Sequence, residues 1–177
     1  MVMSCGNHPE VAQTSHKNKD FYPVRAFIQQ ELKTIDSLPV AVFLYTEQSG
    51  STDTSVVDKS AFRMLAEVAA QPDISQPPFR DGYEETVFLD ATLNLVTMSY
   101  RPLKETGSPI RKMDVYIYPE TEQVKTVYIE KQESAGDSTI LEKTVWSAGK
   151  QVQITRLVSR SGQADRMENR RFSWGIQ

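Results

Sequence analysis

The sequence carries two histidines, His8 and His16, and one cysteine, Cys5, all close to its start. The rest of the chain has no imidazole or thiol to serve as a base, a nucleophile or a soft metal ligand. Carboxylates are what remains. Glu84, Glu85 and Asp90 flank one stretch, with Asp114 and Glu142 further on. Two acids facing one cleft could hydrolyse a glycosidic bond, and a carboxylate-based hydrolase is the catalytic alternative. Adjacent Glu84 and Glu85, however, point to opposite faces of a strand, so solvated strand edges are the simpler reading. The eight glycines are scattered, and none opens a helix in a G-x-G-x-x-G or P-loop frame. The protein is therefore read as a non-enzyme, with no cofactor and no metal site expected.

Recognition is the other chemistry open to these residues. Tyr116, Tyr118, Tyr128 and Trp146 alternate with apolar residues and could form an aromatic patch if strand registers align. The alternative is cross-strand pairs that only stiffen a sheet, at ~0.2–1 kcal/mol each. Charge is divided along the chain: residues 1–110 hold 9 basic and 14 acidic groups, residues 111–177 hold 11 and 9. Arg156, Arg160, Arg166, Arg170 and Arg171 concentrate near the C-terminus. Such a cluster could meet an anionic headgroup, a glycan carboxylate or a partner protein. It could equally protect the edge formed by the last two strands.

The N-terminal residues Met1-Val2-Met3-Ser4-Cys5-Gly6-Asn7 resemble the lipobox of bacterial lipoproteins, with an apolar residue three before Cys, then Ser, Cys, Gly. The resemblance covers about six residues, with no basic or apolar signal region ahead of them, so the start is read as a truncated signal or a misassigned start codon. It implies that Cys5 is diacylated and anchors the chain to a membrane, with Val2, Met3 and Ser4 ending the signal. It implies a bacterial envelope protein, periplasm-facing or on the surface. Residues 6–20 are polar and short-sided, the composition of a flexible tether. The alternative for Cys5 is a free thiol in a polar tail.

The elements that must position these groups follow from periodicity. Val24, Phe27, Ile28, Glu31, Leu32 and Ile35 fall at helical spacing over 21–36, with Glu31 the polar intruder. Asp20 can cap that helix, and Pro23 suits its first turn. Residues 40–46 are a continuous apolar run, read as a buried strand, and 52–57 return as a short strand after a Gly50 turn. Asp58 caps a second helix with Phe62, Leu65, Ala66 and Ala69 on one stripe. From Tyr83 the period becomes two, giving strands near 84–90, 93–102, 111–118, 123–132, 139–146, 150–159 and 166–175. Their short Gly-, Asp- and Pro-bearing connections permit only antiparallel neighbours.

The expected fold is α+β: two N-terminal helices packed on a large, curved, half-barrel-like antiparallel meander. One face is read as Met113, Val115, Ile117, Val127, Ile129, Leu141, Val145, Val152, Ile154 and Val158. The other carries Lys112, Asp114, Glu142, Thr144 and the aromatic patch. Residues 1–20 form signal remnant and tether, and 21–177 one domain, a length ample for a core. With 39% apolar and 24% charged residues the body should fold. A net charge of −3 argues against nucleic acid.

Two functions remain open. The first is a non-enzymatic envelope lipoprotein binding a protein or envelope component through its sheet or loops. The second is a periplasmic carrier enclosing a lipid or other apolar ligand in the curved sheet. A cavity lined by Phe88, Leu95, Met113, Val115 and Ile117 with no side chain filling it would favour the second; a tightly packed helix there favours the first.

Overall fold

The computed structural model describes residues 20–48, 50–104 and 107–175. Two helices, α1 (Val24–Ser37) and α2 (Lys59–Ala69), accompany nine strands. These are β1 (Val42–Gln48), β2 (Ser51–Val57), β3 (Tyr83–Asp90), β4 (Leu95–Pro102), β5 (Ile110–Ile117), β6 (Val124–Ala135), β7 (Ser138–Ser147), β8 (Gln151–Arg160) and β9 (Arg166–Ser173). All nine join one open antiparallel sheet in the order β2-β1-β9-β8-β7-β6-β5-β4-β3. The α+β class is that expected from the sequence. Cys5, His8 and His16 lie outside the described residues.

The seven-strand meander is present, and the N-terminal hairpin extends it. Leu44 of β1 lies opposite Phe172 of β9, so β9 is an interior strand and the edges are β2 and β3. This corrects the edge-protecting reading of the C-terminal arginines. The run 40–46 is buried on one side only: Val42 is fully covered, whereas Phe43 keeps 40% of its surface. The β6–β7 hairpin is also longer than turn chemistry suggested, with pairing up to Ala135 and Ser138.

Both helices follow their stripes. Val24, Ile28, Leu32 and Ile35 of α1 are buried, as are Phe62, Ala66 and Ala69 of α2, while Leu65 stays exposed. Asp58 caps α2 by accepting from the Ser60 amide at 2.8 Å. Asp20 does not cap α1; its N-cap is Pro23, which has no side chain able to accept. The other end of α1 is closed from outside, because Lys59 Nζ donates to the carbonyls of Ile35 (2.8 Å) and Leu38 (2.6 Å). That cation neutralises the negative end of the helix dipole and ties α2 to α1. An Arg63–Asp36 ion pair adds a second tie.

The helices bury one face of the sheet, and register fixes which. Directly opposed residues share a face. Val127, Trp146, Val152, Phe172 and Leu44 form one inward row across β6, β7, β8, β9 and β1. Phe62 of α2 stacks into it, 5.3 Å from Phe172, 5.4 Å from Trp174 and 6.2 Å from Trp146 between ring centroids. At the far side Phe21 packs 4.9 Å from Tyr100, whose hydroxyl accepts from the Tyr22 amide at 3.0 Å. The core is continuous from Tyr83 on β3 to Val42 on β1.

Candidate functional site: the two faces of the sheet

Four aromatic residues were expected on the outer face, and three of them are there. Trp146 is not: it is wholly buried beneath the helices, opposite Val127 and Val152. The strand was assigned one residue out of phase. Leu141 and Val145 take the outer face, and Thr144 and Glu142 the inner one, because the largest apolar side chain of β7 commands the core. The indole nitrogen is the reason Glu31 interrupts the apolar stripe of α1. Glu31 Oε2 accepts from Trp146 Nε1 at 3.3 Å and from the Gly149 amide at 2.6 Å. A buried N–H thus finds a partner that no apolar residue could supply.

Tyr116 and Tyr128 belong to a charged cluster on the outer face, centred on Asp114. The Asp114 carboxylate is only 3% exposed. It accepts from Ser99 Oγ at 2.8 Å, from Arg101 at 3.0 Å and, more distantly, from Tyr116 at 3.5 Å, and pairs with Lys112 Nζ at 3.0 Å. Desolvation pushes its pKa up, but the Ser99, Lys112 and Arg101 donors outweigh that and hold it below the usual aspartate value. Tyr128 donates to Glu130 at 2.7 Å, and Lys112 Nζ stands 5.1 Å from the centre of its ring. Burial, then the Glu130 contact, raises the Tyr128 phenol well above its normal range. Tyr118 lies apart near the β5–β6 turn, with Lys125 over its ring. A carboxylate so fully engaged is a structural anion. It has no proton to give at neutral pH and no open lone pair aimed at a substrate.

The arginines are divided between faces. Arg171 is outward and stacks on Tyr45, 4.3 Å from the ring centre. Beside the pair runs an open groove of about 350 Å³ whose walls include Glu47, Gln153 and Asn169. Gln153 donates to Asn169 at 3.1 Å, and Thr155 donates to the same oxygen at 3.1 Å. Arg156, Arg160 and Arg170 face inward by register, and Arg156 and Arg170 lie beside the end of α2. There the register sets Lys131 against Glu142, Glu142 against Arg156, and Arg156 against Glu168, so sign alternates across four strands. Arg170 donates to Glu168 at 2.7 Å and Arg160 to Ser138 at 3.0 Å. A cleft of about 90 Å³ separates this end from Leu65 and Val68 of α2.

Cys5, expected to carry the lipid anchor, lies outside the described residues. Sequence reasoning missed the Asp114 cluster as a unit, though its signal was available: Ser99, Arg101, Lys112, Asp114 and Tyr116 share one parity on adjacent strands. Among the described residues, no group of three or more His, Cys, Asp or Glu could hold a metal, and no helix is long and apolar enough to cross a membrane. The outer face offers polar, aromatic and cationic contact chemistry. Comparison of the chain with protein-family models, with curated proteins and with solved structures gives no match.

Proposed function

We propose that this protein is a non-enzymatic bacterial envelope lipoprotein, anchored through a lipidated Cys5, that binds a protein or envelope component with the outer face of its sheet. The observation that carries the reading is the position of Phe62, wedged among Trp146, Phe172 and Trp174. The inner face is occupied by the protein's own helices, and Met113, Val115 and Ile117 are buried in the same core. Space for an apolar ligand is what the carrier reading needs, and this packing speaks against it. The sheet is inferred to curve around the helices as a half-barrel, supported by the register shifts at Ile110/Lys112 and Tyr116/Ile117, since such irregularities bend strands. Recognition then falls to Tyr116, Tyr128 and the Tyr45–Arg171 pair. The inward Arg156, Arg160 and Arg170 form a second, charge-balanced surface.

The test has two parts. Expressed from its own gene in its native host with a labelled fatty acid, the protein should take up label and fractionate with membranes, and Cys5→Ser should do neither. Equal labelling of both forms, or of neither, sinks the anchor. Native mass spectrometry of the body with organic extraction should give the bare polypeptide mass. A co-purifying lipid released on denaturation would establish the carrier reading instead.

A further inference from the structure

Among the described residues, the sheet ends on two edges of different character. β3 carries Glu84, Glu85 and Asp90, and like charges are a common device that keeps an open edge from pairing with another chain. β2, Ser51-Thr52-Asp53-Thr54-Ser55-Val56-Val57, has one charge and no Lys, Pro or Gly. Its register with β1 runs unbroken from Ser51 to Val57, without a bulge to twist it away. Six of its seven residues are exposed, and Val56 presents 66% of its surface to water. By composition and by geometry this edge is open to a further strand.

We propose that β2 pairs with β2 of a second copy of this chain, antiparallel about a two-fold axis at Thr54. The alternation of the ladder selects that register. Gln48/Ser51 is the last pair of the β1–β2 ladder, and the closing pair of a tight hairpin is a hydrogen-bonded one, from which bonded and unbonded pairs alternate. Thr52, Thr54 and Val56 then turn their N–H and C=O groups away from β1. Centring on Thr54 sets Thr54 against Thr54 and Thr52 against Val56 of the other copy, which uses every outward group. Asp53 falls opposite Ser55, a hydroxyl able to donate to it. Centring on Asp53 would set two carboxylates face to face. Centring on Ser55 would set Asp53 against Val57 and leave Thr52 unused. The chosen register also gives Val56 a methyl-bearing neighbour and keeps both helix layers on one side of the joined sheet. The contact is isologous and closes on itself, so it yields a dimer and not a fibre.

This inference is independent of the lipid anchor and of the outer-face reading. Sedimentation of the full chain over a wide micromolar range should show a concentration-dependent dimer. Thr54 is exposed and outward, so Thr54→Lys and Thr54→Glu should keep the wild-type circular dichroism and melting temperature. Each should weaken the dimer roughly fivefold, because like charges then oppose each other across the axis. An equimolar mixture of the two variants should regain or exceed wild-type association. A wild-type chain that stays monomeric at every concentration overturns the proposal, as it would if the edge served an extended segment of another protein. A dimer unaffected by either variant, or a mixture that behaves as the average of its parts, overturns it as well.

Discussion

Glu31 of α1 and Trp146 of β7 are joined by a hydrogen bond at the bottom of the core, 3.3 Å from carboxylate oxygen to indole nitrogen. The same oxygen takes the Gly149 amide at 2.6 Å, so one side chain fixes the first helix to both the strand and the turn that follows it. Glu31→Ala would leave the buried indole N–H unpartnered. It should cost about 1–3 kcal/mol of unfolding free energy in urea denaturation. Glu31→Gln keeps an acceptor oxygen and should recover much of that loss. Equal stability of the alanine variant and wild type would show that the bond does not hold the helix.

Asp114 predicts an acid response of defined sign. Its folded pKa lies below the unfolded value, because three neighbouring donors outweigh desolvation. A depressed acid contributes stability that is present above its unfolded pKa of about 4 and is lost as pH falls through the folded pKa. Wild-type stability should therefore drop as pH falls below about 4. Asp114→Asn should be less stable at neutral pH and flatter across that window. Parallel pH profiles for the two proteins would remove Asp114 from the account.

The charge ladder on the inner face, beside α2, makes a third prediction. Glu142 lies between Lys131 and Arg156 by register. Glu142→Lys would place three cations side by side and should cost about 1 kcal/mol. Adding Arg156→Glu restores opposite charges at the 142/156 pair, though Lys131 and Glu168 then each face a like charge, and a double-mutant cycle should show favourable coupling between the two sites. The coupling should shrink in high salt, as it must for half-exposed charges. Additive effects of the two substitutions would show that the ladder is only a pattern.

Most strands were legible because their boundaries are written in turn residues: Gly136-Asp137, Ala148-Gly149 and Ser161-Gly162 each separate two period-two runs. The α1 stripe was legible for the same reason, and even its misfit, Glu31, had a cause. What failed was phase and neighbourhood. β7 reads Ile140-Leu141 and Val145-Trp146, apolar on both parities, so alternation could not choose a face. Burial of the indole and its hydrogen bond to a helix chose it. The pairing of β1 with β9 left no local trace, since nothing near Leu44 names Phe172 as its neighbour. The arginine cluster was accordingly misplaced at an edge, and four of its five members, Arg156, Arg160, Arg166 and Arg170, proved to face inward.

That same pairing has a consequence for biosynthesis. The β1–β2 hairpin leaves the ribosome well before β9, the strand that defines its place in the sheet. Until Phe172 and its neighbours emerge, β1 has no second partner, and the apolar side chains of Val42 and Leu44 have no completed wall to rest on. The sheet is thus sealed only once β9 has emerged. A chain lacking β9 would lose the wall against which β1 rests, and β1 would keep an unpaired edge for as long as that wall is missing.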